Sequence, residues 1–369
     1  MSRVVLVTGV SRYLGGQMSR ILTEDPDIDR VIGVDVVPPR GDIGGAEFVR
    51  ADIRNPIIAK VISTAGVDTV VHMGVISTPV QAGGRVSMKE INVIGTMQLL
   101  AACQRAPSIR KIVIKSSTSV YGAGPKDPAM FTEGTQPKSI PTSGWAKDSV
   151  EVEGYVRGFA RRRPDVLTTT LRFANFLGPR VETPMSEYFA LPLVPTVLGH
   201  DARLQFIHEL DGLEAIRRAT VGDYAGIFNI AGDGVLMLSQ AVRLAGRIAL
   251  PVAPLLVGAV GQAIRRTGIA DFSPEQVRFL TFGRGVDTTL MRVPFGFAPQ
   301  YTTRETFLDF VESRGLRGAV TPSRVAVAQG IATGVLTSGV VNGVIDLARA
   351  VARQGTGGAG DTSTEPANA

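Results

Sequence analysis

Residues 3–8, Arg-Val-Val-Leu-Val-Thr, are apolar and largely β-branched, with charge ahead and Gly9 behind, and read as a buried strand. After the stretch from Gly9 to Gly16, Met18, Ile21 and Leu22 recur at helical spacing. A second apolar run begins at Arg30 and ends at Asp35. The rhythm continues with a strand over 46–51 before Asp52 and Ile53, and a helix over 56–65. A strand over 67–72 then opens into Met73 and Gly74. A long helix over 88–104 carries Asn92, and a fifth strand spans 111–115. Such alternation predicts an α/β fold, a doubly wound parallel sheet whose ligands collect beyond the carboxyl ends of the strands. Gly9, Asp35, Asp52, Gly74 and Ser117 all fall at those ends.

Strand, glycine turn, helix, strand and terminal acid form the first half of a Rossmann-type dinucleotide-binding unit. The helix N-terminus offers unpaired N–H groups and a positive dipole end to a pyrophosphate. Asp35 follows the glycines by about twenty residues, where a carboxylate accepts hydrogen bonds from an adenosine ribose. Arg12 stands where a glycine would let the backbone approach the phosphates. Two readings stay open for it: a charge laid over the phosphates, or a side chain in solvent.

The 369 residues accommodate an α/β domain with a smaller second lobe, or two domains. Cys103 is the single cysteine and lies on an apolar helical face, so no disulfide forms within the chain and a reducing, cytoplasmic setting is expected. No secretory leader pattern opens the sequence. A formal charge of +6 without basic residues interleaved with aromatics argues against nucleic-acid binding. Arg161 to Arg163 read as a solvated helix end. The three histidines lack metal-ligand spacing. Residues 248–264 hold Pro251 and Pro254 and read as a loop leading into a helix. Residues 325–345 are uncharged but carry Gln329, Thr333, Thr337, Ser338 and Asn342. They are too polar for an ordinary bilayer span and suit a helix packed on the body or a partner, with peripheral membrane contact as the alternative. Residues 355–369 read as a disordered tail.

At Ser116-Ser117-Thr118-Ser119-Val120-Tyr121-Gly122 the chain resembles the extended short-chain dehydrogenase/reductase superfamily, in its NAD-dependent epimerase/dehydratase branch of UDP-glucose 4-epimerase type. Thr8-Gly9 with Gly15, Asp35, Asp52-Ile53, His72-Met73-Gly74 and Asn92 fit its coenzyme segments. Residues 171–179, 206–211 and 227–232 are similar to its later strands, so the resemblance spans about residues 3 to 312. Its overall look is that of actinobacterial sugar-nucleotide epimerase-like proteins. The resemblance implies a dinucleotide-binding domain over 1–170, with the sheet completed by segments near 200–232. An interleaved substrate lobe over 171–312 and a C-terminal helical segment over 313–354 would follow. It also implies NAD held by Gly9, Arg12, Tyr13, Leu14, Gly15, Asp35, Asp52, Ile53, Met73, Gly74, Asn92 and Lys147. The further implications are a nucleotide-sugar or other phosphorylated substrate, and a homodimer through the helices beginning near Met88 and Ser143.

Family members use a serine or threonine, a tyrosine, and a lysine four residues after the tyrosine. Ser117 and Lys147 match, but the tyrosine position is Ser143. A serine hydroxyl is a far weaker acid than a phenol. Three readings follow: an oxidoreductase or epimerase whose acid–base group lies elsewhere, a coenzyme-binding sensor or scaffold without hydride transfer, or lyase or dehydratase chemistry by another route. Tyr121 reads as a packing residue, and His72 and His208 as core or orienting residues. Arg172 reads as structural support, and Arg203 or Arg284 as groups for a phosphate. Asp287 and Arg292 lie late in the lobe.

Overall fold

The computed structural model describes residues 3–73, 76, 83–138, 140–191, 193–257 and 273–316. Gly74, Ser77, the segment 325–345 and the tail 355–369 therefore lie outside the described residues. β1 (Val4–Thr8), α1 (Tyr13–Thr23), β2 (Arg30–Asp35), β3 (Glu47–Arg50), α2 (Ile57–Ala65) and β4 (Thr69–His72) open the chain. A helix then runs without a break through α3 (Arg85–Lys89), a π-helical turn (Glu90–Gly95) and α4 (Thr96–Arg105). β5 (Lys111–Ser117), α5 (Gly144–Arg162), β6 (Leu167–Phe173) and β7 (Asn175–Leu177) follow. Next come α6 (Pro184–Ala190), β8 (Leu193–Val197), β9 (Arg203–Leu204), β10 (Phe206–His208), α7 (Glu209–Val221) and β11 (Gly226–Ile230).

The seven-stranded sheet has the order β11-β6-β5-β4-β1-β2-β3, every pair parallel. The order reverses between β1 and β4, which opens a crevice at their carboxyl ends. Strand alternation sends Val5, Val7, Val71 and Val113 to one face, against Met18 and Leu22 of α1 and Leu213 and Ile216 of α7. Leu6, Val70, Ile112 and Ile114 meet Ile58 of α2, Leu99 and Cys103 of α4 and Val152 of α5 on the other. Cys103 is fully buried, and burial pushes its thiol up to about 12.

A separate core, built on Tyr188, Phe189, Phe206, Phe279, Phe307 and Phe310, fills the second lobe. Here one expectation is overturned. Ile248–Val252 is not a loop but a strand pairing parallel with β8, Leu193–Val197. Pro251 has no N–H to give the ladder, and its place in a two-stranded ribbon accommodates that. α1 also starts at Tyr13, with Gly15 and Gly16 inside its first turns. No helix among the described residues is long and apolar enough to cross a membrane.

Candidate active site

The glycine turn is built by steric necessity. Gly9 takes φ +77°, a region open to glycine, and a Cβ on Gly15 would stand 2.1 Å from the Gly9 carbonyl oxygen. That contact packs the start of α1 onto the end of β1. Arg12 precedes α1 without capping it through its side chain. The first amides of the helix, Tyr13, Leu14 and Gly15, lack intrahelical acceptors and face the crevice end of the sheet.

Asp35 closes β2 beside this turn. Its Oδ2 accepts from the Ser11 amide (3.0 Å) and hydroxyl (2.6 Å), and its Oδ1 from the Val36 amide (2.7 Å). A carboxylate has about four lone-pair sites, so one remains for a further donor such as a ribose hydroxyl. Arg12 does not run into solvent. It is only partly exposed, and burial lowers its pKa while the charge of Asp35 opposes that shift. Tyr13 donates its hydroxyl to Glu209 Oε1, at the start of the neighbouring α7, at 2.7 Å.

The next expected contacts are differently engaged. Asp52 is gripped by Arg54 through the backbone amide, Nε and Nη2, and these bonds hold its carboxyl below the usual range. Ile53 packs on the π-helical turn, where a Cβ on Gly95 would lie 2.7 Å from its Cδ1. Asn92, in that turn, is fully buried. Its Oδ1 accepts from the Ile76 amide at 2.8 Å, and its Nδ2 donates to the Ile76 carbonyl at 3.0 Å and to Asp148 Oδ2 at 3.3 Å. Asn92 thereby joins the loop after β4 to the first turns of α5, which follow Ser143 and carry Lys147.

His72 is buried between two hydroxyls, Thr8 Oγ1 at Nδ1 (2.8 Å) and Thr96 Oγ1 at Nε2 (2.9 Å). The Thr96 hydroxyl donates to the Asn92 carbonyl at 2.5 Å, so it accepts from Nε2–H, and Nδ1 accepts from Thr8. The ring is neutral in this arrangement, and burial, helped by the charge of Lys115, brings its pKa down to about 4. Met73 donates its amide to Thr8 Oγ1 at 3.2 Å.

On the catalytic side, Ser117 Oγ accepts from the Ser119 amide at 3.1 Å. Ser143 is the residue before α5, and its buried Oγ has no partner among the described residues. Lys147 Nζ stands 3.9 Å from Glu151 Oε1 and is 43% exposed. All six tyrosines are described, and none replaces the missing phenol. Tyr121 is fully buried, donating to Asn229 Oδ1 and accepting from Arg172, both at 2.8 Å. Arg172 itself is paired with buried Glu153 at 2.6 Å, the structural support expected of it. Tyr13 and Tyr188 are bonded to Glu209 and Pro195, Tyr155 lies on the surface of α5, Tyr224 packs on Phe295, and Tyr301 stacks on His208. His208 accepts the Leu210 amide at Nδ1 and donates from Nε2 to Asp309 at 3.0 Å, an orienting role.

Arg284 reaches this region from the second lobe. Its Nη1 donates to the Gly122 carbonyl at 2.7 Å and its Nε to Thr118 Oγ1 at 3.3 Å, while burial brings its pKa down to about 10. Asp287 instead holds the Thr289 amide, and Arg292 pairs with Asp233. Two residues went unnoticed in the sequence. Glu209 binds Tyr13 and the Arg180 and Val181 amides. Lys115, inside β5 and on the face of Val113, lies beside Phe176, its Nζ 5.6 Å from the ring centroid. A lysine between Ile114 and Ser116 near a strand's carboxyl end was the signal for it. Among the described residues no group of histidine, cysteine and carboxylates could hold a metal.

Known proteins share this architecture. An uncharacterized protein of Mycobacterium tuberculosis is 50% identical over 337 residues, covering 90% of each chain. The UDP-glucose 4-epimerase of Thermotoga maritima, solved with UDP-glucose, superposes with a TM-score of 0.64 at 19% identity, over 85% of this chain and 98% of its own. The Thermus thermophilus UDP-glucose 4-epimerase, solved with NAD, gives 0.63 at 21% identity, over 86% and 100%. Residues 5–231 match the model of the NAD dependent epimerase/dehydratase family, and the chain belongs to that family.

Proposed function

We propose that the protein is an NAD-dependent oxidoreductase of epimerase/dehydratase type acting on a nucleotide sugar, with an acid–base arrangement that departs from the family's. The observation that carries this is the joint geometry of the glycine turn and Asp35. The Gly9–Gly15 contact shapes a cradle that a Cβ would fill, and Asp35 keeps an acceptor site beside it. These residues fit a dinucleotide, with the amides of Tyr13 to Gly15 at its phosphates and Asp35 at its adenosine ribose. When bound, the coenzyme supplies the hydride acceptor. Ser117 then orients a substrate hydroxyl, and Lys147 is placed for the coenzyme ribose. Buried Ser143 offers a hydroxyl with no acid strength of its own. Homologous architectures solved with UDP-glucose and with NAD support the substrate and coenzyme classes. A homodimer through the helices beginning near Met88 and Ser143 is part of the same reading.

The placement of the tyrosines favours one rival, a coenzyme-binding sensor without hydride transfer. Energy transfer from Trp145, the only tryptophan, to added NADH or NADPH tests the coenzyme. Asp35 predicts tighter NADH binding, since its charge opposes the extra phosphate of NADPH. Tighter NADPH binding overturns the NAD assignment. Turnover of UDP-sugars with bound NAD then separates enzyme from sensor.

A further inference from the structure

Lys115 and Arg12 are two like charges brought together from distant parts of the chain. Lys115 projects from β5 on the face shared with Val113, and Arg12 leads into α1, which packs on that face. Each is only partly exposed, and neither side chain forms a hydrogen bond or ion pair with any described residue. The Phe176 ring lies near the outer limit of about 6 Å for a cation–π contact and satisfies none of the ammonium's donors. Asp35, the carboxylate acting on Arg12, already holds Ser11 and Val36. Burial and the charge of Arg12 together bring the Lys115 pKa down to about 8, as expected of a cation without a counter-ion. An uncompensated pair of this kind destabilises the ligand-free protein.

We propose that Lys115 and Arg12 are a side-chain clamp for the pyrophosphate of the bound dinucleotide, with charge replacing the close backbone approach that glycine at position 12 would allow. The assignment deepens the coenzyme reading and rests on it. The anion would lie between the two cations at the uncapped start of α1, which explains why Arg12 turns inward and why a lysine interrupts an apolar strand.

The test uses Lys115→Met and Lys115→Arg in the full chain. In Lys115→Met, affinity for NADH and for ADP-ribose falls together, on the order of tenfold or more, as for a lost charged hydrogen bond. Affinity for adenosine, which carries no phosphate, is unchanged. Lys115→Arg retains most of the affinity. The melting temperature of ligand-free Lys115→Met rises, because an unpaired buried charge is gone, whereas a merely structural lysine gives a fall. Undiminished ADP-ribose affinity, or a lower melting temperature, overturns the clamp. Inorganic pyrophosphate separates the two proposals. If the wild type binds no dinucleotide, the coenzyme reading fails, but pyrophosphate must still raise its melting temperature and not that of Lys115→Met. If it raises both or neither, the clamp fails as well.

Discussion

Tyr13 and Glu209 meet at the first residues of two helices on one face of the sheet, phenol to carboxylate at 2.7 Å, so the helix that begins the coenzyme cradle is tied to the start of α7. Glu209 is buried, and its other oxygen holds the Arg180 and Val181 amides. Burial and this bond both raise the Tyr13 pKa, so the phenol stays a donor throughout the physiological range. Tyr13→Phe leaves one carboxylate oxygen short of a partner. It should lower stability by about 1.5–3 kcal/mol, read from urea unfolding. Equal stability would show that the phenol is not needed to hold α1 to α7.

His72 should set an acid limit on stability. Its folded pKa of about 4 lies below the ordinary value of 6.5. The unfolded chain therefore binds the extra proton first as pH falls. Stability is fully present above about pH 6.5 and declines toward pH 4, by no more than about 3 kcal/mol. His72→Gln keeps a donor and an acceptor without titrating, and should flatten that part of the profile in melting curves.

Coenzyme affinity should fall as pH rises past about 8, where Lys115 loses its proton. The charged and titratable groups around it are Arg12, which stays charged, Asp35 beside Arg12, and neutral His72 behind the strand. The decline should vanish in Lys115→Met. Ligand-free stability runs the other way and rises from pH 8 toward 10.5, since the unfolded lysine holds its proton longer. Fluorescence titrations with NADH at pH 7 and 9 check the first effect.

Ser143→Tyr should raise turnover of a UDP-sugar with NAD by ~10²–10⁴-fold, by restoring a phenol four residues before Lys147. Its backbone is extended, and Gly144 beside it holds φ +63° against Ser273, so the new ring must settle over that contact. Unchanged turnover with intact NADH affinity would favour the sensor.

The strands, the glycine turn and Asp35 were readable because each is a local pattern: β-branched runs, a glycine where no Cβ fits, and an acid at a strand end; Asn92 was reached only through the family resemblance. Periodicity over 88–104 gave the helix but not its π-helical turn, which depends on what Asn92 and Thr96 bond across space. Two prolines in 248–264 argued for a loop, yet pairing with Leu193–Val197 outweighed them. Glu209 and Lys115 escaped notice for a related reason. An acid at a helix start and a lysine in a strand are ordinary in one dimension, and only the fold brings Tyr13 to one and Arg12 toward the other.

The locked state of Tyr121 bears on how such a protein changes over generations. Its hydroxyl joins Asn229 and Arg172, and through Arg172 reaches Glu153 and Ser116, so β5, β6, β11 and α5 share one hydrogen-bonded knot. Drift at any member strands a buried charge or dipole, and Tyr121 cannot be borrowed for chemistry without undoing the sheet. Position 143 carries no such obligation. A lineage with this chain can gain or lose a phenol there by one substitution, which makes activity the labile trait and the cradle the durable one.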